Sequence, residues 1–332
     1  MIRNRDLEET ALHANLDPLL KLPSMDIRPE FAFIERVRQR SRLRPEVLLG
    51  IGDDAAVLCR ADRDWVTTVD VLMDGVHFDL SQTDPRLIGQ KSLLVNISDV
   101  AAMAAEPVAA FVGIVFPRTM SVQTADEIYD GLHTAADLWN VSLAGGDTNS
   151  WDGPLVISVT LMGLTTEKGA VTRSGARPGD WLFVTGPLGG SFDSGRHLQF
   201  TPRVQEALTL HEHLSLTSML DLSDGLASDL FHILDASDVG AKLDAKEIPI
   251  HDDVDSKLPF EMRLQRALND GEDFELLFTV SPEEGRRLIE NPLPGVRTIR
   301  IGEIVQGHGA QLQIADQVLP VERGGWTHQF GE

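Results

Sequence analysis

A single cysteine, Cys59, stands in 332 residues, so no intrachain disulfide can form. That fits a reducing compartment and predicts a cytoplasmic protein. Cys59 continues the apolar run AAVLC (55–59) and reads as a packed thiol. Basic residues are also scarce: 29 Lys and Arg face 51 Asp and Glu, a formal charge of −22. A field of that sign repels nucleic acid and anionic lipid, which excludes both as expected partners. No apolar run approaches the ~20 residues of a membrane helix; VAAFVGIVF (108–116) is the most tempting. A Walker loop is missing, because Gln90 stands before Lys91 where that motif needs glycine. No segment has the EF-hand spacing either.

Acidic residues are what the chain has in excess, and they recur beside glycine or hydroxyl residues between apolar segments. GIGDDAAVL (50–58) fits the dinucleotide pattern G-x-G-x-x-A, yet its open positions hold Asp53 and Asp54. A dinucleotide loop must open a helix inside a βαβ unit. Here AAVLC is followed by the polar RADRD and the β-branched WVTTVDVL, which reads as strand, turn, strand. The dinucleotide reading fails on that missing helix. Related segments are VTTVDVLMDGVHF (66–78), NISDVAAMAAEP (96–107), AGGDTNS (144–150), LDLSDGLASDL (220–230) and LNDGEDFELLF (268–278).

Each of these has an ordinary explanation taken alone. Asp224 could cap the helix GLASDLFHIL, and Asp53 or Asp147 could stabilise a turn. Six together, beside segments that must be buried, call for a shared cation, since an unpaired buried carboxylate is very costly. The donors are carboxylates, hydroxyls and amides, which suit Mg²⁺ or Ca²⁺ rather than zinc. Mg²⁺ typically completes its shell with water and substrate phosphates. That predicts a nucleotide enzyme without a Walker loop.

The ordered set GIGDDAAVL, DGVHF, NISDVAAM, GGDT, TRSGARPGD, DLSDGLASDL and GEDFEL resembles the thiamine-monophosphate kinase family, from about Glu30–Phe31 to Trp326. The resemblance implies phosphorylation of thiamine monophosphate by ATP, with several Mg²⁺ ions. It also implies a homodimer whose N-terminal strands form a barrel across the interface. Carried over by residue, metal ligands fall on Asp54, Thr68, Val69, Asp70, Asp99, Asp147, Asp221 and Asp224. Nucleotide contacts fall on Tyr129, Gly146, Arg173 and Ser223, and the thiamine side on His77, Glu272 and Trp326. For Trp326 the alternative is core packing, and for His77 a satisfied structural histidine.

Departures from the family pattern are AAMAA for AAMGA at Ala104, NDGED for GGED at Asn269–Asp270, and Val69 where a hydroxyl residue is common. The first reads as a small-for-small swap within a helix. A selenophosphate synthetase, another member of the superfamily, would carry its cysteine ahead of the GDDAAVL-like motif, whereas Cys59 follows it. A Mg²⁺- or nucleotide-binding protein without activity is the non-enzyme alternative.

The expected fold is α/β of the α+β type. An N-terminal extension (1–29) precedes an ATP- and Mg²⁺-binding domain (30–165) with a mixed sheet and helices, and a C-terminal α/β sandwich (166–332) follows. Expected elements are a helix at FAFIERVRQR, a hairpin, a helix around 85–105, the strand AAFVGIVF, a helix near 122–138 and the strand LVISVTLMG. The second unit opens on GDWLFVTG.

Overall fold

The computed structural model describes residues 29–51, 57–58 and 62–326. The extension, Asp53, Asp54 and Cys59 lie outside them. The first part of the chain runs α1 (Pro29–Arg40), β1 (Val47–Leu49), β2 (Val57–Leu58), β3 (Trp65–Met73), α2 (Pro85–Ala102), β4 (Ala105–Pro117), α3 (Val122–Trp139), β5 (Ser142–Trp151) and β6 (Val156–Thr165). The expected helices and the strands β4 and β6 are all present.

The hairpin is not where the sequence places it. β2 pairs with β1, while β3 lies antiparallel along β6 from Trp65↔Leu164 to Met73↔Val156. The reason is length: β3 can match nearly all of β6, which the short β2 cannot. The sheet order is β3-β6-β4-β5, with β4 and β5 parallel and the other pairs antiparallel. β5 was not expected as a strand. AGGDTNS looks like a turn from its composition, yet it is paired with β4 throughout, Gly113 opposite Asp147.

Helix α2 starts on Pro85, with the Asp84 carboxylate accepting from the Arg86 amide. From Ile88 to Ala102 nearly every side chain is buried, as a helix without a polar face requires. It crosses α3 through two glycines. A Cβ at Gly89 would sit 1.9 Å from the Ile128 carbonyl oxygen, and one at Gly131 would sit 1.9 Å from that of Arg86. Gly89→Ala is therefore expected to cost about 3 kcal/mol in denaturant unfolding, the upper range for overpacking. A loss under about 0.5 kcal/mol would show that the two helices can part freely.

α2 ends at Ala102, and Ala104 has φ 53°, the left-handed region that glycine favours. The AAMAA departure is thus no swap within a helix. It places a fully buried methyl group in a turn that a side chain adopts at a cost.

The second part runs β7 (Trp181–Val184), α4 (Ser191–Ser194), a 3₁₀ turn at Arg196–Leu198, α5 (Val204–His213), β8 (Leu216–Asp221), α6 (Leu226–Ser237), β9 (Gly240–Asp244) and α7 (Phe260–Asn269). It ends with β10 (Leu276–Val280), α8 (Pro282–Glu290), β11 (Ile299–Val305), β12 (Gly309–Ile314) and β13 (Gln317–Val321). The seven strands form one mixed sheet in the order β13-β12-β9-β11-β7-β10-β8, parallel only between β9 and β12. Both of its faces are covered. Phe183, Phe278 and Met219 share a core with α2, α3 and α5, while Leu182, Leu220 and Leu277 pack with α6 and α7. α2 therefore lies between the two sheets, with one side on each.

The cap of α6 differs from expectation. Its N-cap is Gly225, φ 112°, and the Asp229 carboxylate accepts from the amides of Asp224 and Gly225.

Candidate active site

Strand alternation turns Val66, Thr68, Asp70 and Leu72 toward α2, and Val69 away from it, 59% exposed. Across from them stands Asp99 on α2. The Thr68 hydroxyl donates to Asp99 Oδ2 at 2.5 Å. One residue earlier the same helix offers Ser98, whose hydroxyl donates to Asp221 Oδ2 at 2.6 Å, at the end of β8. Thr68, Asp99, Arg173 and Asp221 line a cavity of about 440 Å³ with an apolar back of Val66, Met103 and Met219.

Burial, with the charge of Asp99 acting on the other two, raises the affinity of these carboxylates for protons. Burial, then the charges of Asp99 and Glu272, push Asp70 up to about 7. Burial raises Asp99 as well, against the Thr68 hydrogen bond and the charge of Arg173. Asp221 is raised well above the usual range by burial first and by Asp99 next. Three acids in poor solvent contact form a place where an added positive charge gains much. Yet among the described residues no three acids or histidines gather closely enough to hold a metal ion by themselves. A ready-made protein cage is absent there, so the shared cation expected from the sequence finds an incomplete ligand set.

A larger cavity, about 800 Å³, adjoins the first. Asp70 lines it and interacts with Asp99 of the first, so the two meet at this pair. Its walls include His77, Glu272 and Trp326, the three residues assigned to the thiamine side. Trp326 is 54% exposed, which overturns the core-packing alternative. His77 Nδ1 accepts from the Met73 amide while its ring borders the cavity, so the structural and the lining roles coexist. Ser223 and Asp224 also line this cavity, whereas Arg173 lines the first. Two of the departures from the family pattern, Asn269 and Asp270, form part of the same wall.

Tyr129, Gly146 and Asp147 are elsewhere. They line a small recess with Ile51 and Phe33. The Tyr129 ring meets Phe33 edge-on at 4.9 Å, and burial pushes its hydroxyl up to about 12. Asp147 is on β5 and Asp70 on β3, opposite edges of a four-stranded sheet. Three strand spacings separate them, about 14 Å. Within one chain the expected metal ligands form two groups, not one. Asp54 lies outside the described residues.

Sequence reasoning passed over Lys91. It is fully buried on α2 and pairs with Glu272 Oε2 at 2.5 Å. The signal was available: a lysine inside the apolar stretch LIGQKSLLVNIS must find an anion, though the sequence does not say which. The other acids of GEDFEL are structural. Asp273 accepts from the Gly189 amide and Arg196, and Glu275 takes a two-pronged contact from Arg203.

Residues 52–165 match the domain described as AIR synthase related protein, N-terminal domain, which defines the class. Over most of its length the chain is also similar to thiamine-monophosphate kinases. That of Rhodopirellula baltica is 39% identical over 301 residues, 86% of this chain and 92% of the relative. The crystal structure of the Stenotrophomonas maltophilia K279a kinase superposes with a TM-score of 0.75 at 35% identity, covering 89% of this chain and 98% of that one. A structure described as "AaThiL complexed with AMPPCP and TMP" gives 0.69 at 28% identity, covering 90% and 97%. The chain belongs to the thiamine-monophosphate kinase family.

Proposed function

We infer that this protein transfers the terminal phosphoryl group of ATP to thiamine monophosphate, giving thiamine diphosphate. The observation that carries the reading is two adjoining cavities meeting at Asp70 and Asp99. Family membership and a relative complexed with AMPPCP and TMP support it. The smaller cavity takes the nucleotide phosphates, with Arg173 as their cationic partner. The larger takes the acceptor, with Trp326 as a face for its cationic thiazolium ring and Glu272 as a counter-charge.

The acceptor's phosphate is already ionised near neutral pH, so the chain has no proton to remove from it. Its residues have instead to orient two polyanions in line. Thr68 and Ser98 hold Asp99 and Asp221 in fixed positions at the junction. Thr68, Asp70, Asp99, Asp221 and Asp224 are the residues that would hold Mg²⁺, together with Asp54, Asp147 and the Val69 carbonyl. Bound there, the ions would screen the repulsion between the phosphates and stabilise the oxygens of the group in transfer. An ion that shares its shell with substrate phosphates fits an incomplete protein ligand set.

A homodimer completes the reading. Val69 is 59%, Val71 49% and Leu48 65% exposed, an apolar surface suited to an interface barrel. In such a pair, the recess lined by Asp147, Gly146 and Tyr129 can serve the partner's nucleotide. The units 30–165 and 166–332 correspond to the two sheets, and a reducing cytoplasm suits the lone thiol.

The test is a discontinuous assay with ATP and thiamine monophosphate, separating thiamine diphosphate by chromatography. Absence of that product at saturating Mg²⁺ would sink the reading. Trp326→Ala is expected to raise the Michaelis constant for thiamine monophosphate about tenfold and that for ATP less than twofold, the loss of a cation–π face. Equal weakening of both would place Trp326 outside the acceptor pocket.

A further inference from the structure

Lys91 lies in the wall of the acceptor cavity, beside Glu272. Its side chain is 1% exposed, while that of its partner Glu272 is 20% exposed. The ammonium is held from three directions: the His77 carbonyl at 2.8 Å, His197 Nδ1 at 2.7 Å and Glu272 Oε2 at 2.5 Å. His197 Nδ1 is itself 3.2 Å from Glu272 Oε2. Phe192 stacks on the His197 ring at 4.5 Å and lies 6.0 Å from Nζ. Of this ion pair in the cavity wall, the negative member is thus the more exposed, and the positive member is almost fully covered.

Glu272 needs such an anchor. Its backbone is left-handed, φ 68°, a conformation that costs a side-chain-bearing residue about 1 kcal/mol or more. Its amide donates to the Ser223 carbonyl at 2.7 Å, which fixes the backbone but leaves the side chain to be oriented by other contacts. Burial acts to raise its pKa, yet His197 and Lys91 outweigh burial and keep the carboxyl below its ordinary range. Lys91 itself is lowered by burial, against the charge of Glu272.

We propose that Lys91 is a positioning residue of the acceptor site, a nearly covered cation in the cavity wall that anchors Glu272 so that its carboxylate faces the cavity and selects an aromatic organic cation. Buried His197 packs on this pair, and Phe192 of the cavity wall stacks on its ring. The proposal rests on the larger cavity being the acceptor site. Selectivity follows from geometry: an ion pair lying flat on the wall would present no net charge, whereas this one presents its anion.

The test is a double-mutant cycle on the full chain with Lys91→Met, Glu272→Gln and both together. Readouts are the Michaelis constants for thiamine monophosphate and ATP, and competition by thiamine against its neutral-ring analogue 3-deazathiamine. Lys91→Met is expected to raise the constant for thiamine monophosphate about tenfold, with that for ATP within twofold. The preference of wild type for the cationic competitor should collapse toward equality. In the Glu272→Gln background the added Lys91→Met change should do nothing further, because the group it positions is gone. An equal effect in both backgrounds, or an unchanged preference for the cation, overturns the role of Lys91. A silent Glu272→Gln overturns the acceptor assignment as well, so the two failures are told apart. Should Lys91→Met not fold, His197→Asn takes its place in the cycle, since His197 touches both partners and its loss leaves the ion pair. It is expected to raise the same constant about threefold, and no change overturns the proposal.

Discussion

Asp99→Asn is expected to lower turnover by ~10² or more, a loss of about 2.7 kcal/mol of transition-state stabilisation. Asp99 stands where the two cavities meet, fixed by Thr68, and its charge raises the affinity of Asp70 and Asp221 for protons. Removing one negative charge there weakens whatever cation the phosphates bring. Its effect on folding has the opposite sign. A buried carboxylate among like charges costs the folded protein stability, so the neutral amide should leave the metal-free protein as stable or more so. Falling activity with a level or higher unfolding midpoint is therefore the expected pair of results. A drop of less than about threefold, or lost activity tracking lost stability, would make Asp99 a structural residue.

Removing divalent cations with EDTA should abolish activity, and excess Mg²⁺ should restore it. Three poorly solvated acids around two polyanionic substrates leave transfer strongly opposed without them. Full activity after chelation and dialysis would end the metal reading. A Mg²⁺ titration then grades the ligands on β3. Thr68→Ala, which frees the Asp99 carboxylate, should shift the curve at least several-fold. Val69→Thr should stay within about threefold, because its side chain points to the opposite face. A reversed order would mean that Val69 meets the metal through more than its carbonyl.

Local signals carried much of this protein into view. Helices α1, α2 and α3 and the strands β4, β6 and β7 follow from periodicity and caps, since those depend on neighbours a few residues away. The acid-rich motifs identified their own chemistry for a similar reason: a carboxylate beside an obligatorily buried segment needs a counter-charge wherever it ends up. Even Lys91 carried that signal, though its partner could not be named.

What the sequence could not determine was which motif meets which. Asp70 and Asp147 look alike in one dimension, each an acid among small or β-branched residues. Strand order alone sends them to opposite edges of a sheet. AGGDTNS became a strand because β4 offers a free edge, and Ala104 left its helix because β4 must start there. Asp229, not Asp224, took the cap, and Lys91 reached Glu272 across 181 residues of chain. Composition and periodicity fix what a residue needs, because solvation and backbone geometry are local costs. The partner that meets the need is chosen by sheet order and by the packing of α2 between two sheets, which bring distant segments together and leave no trace in their spacing.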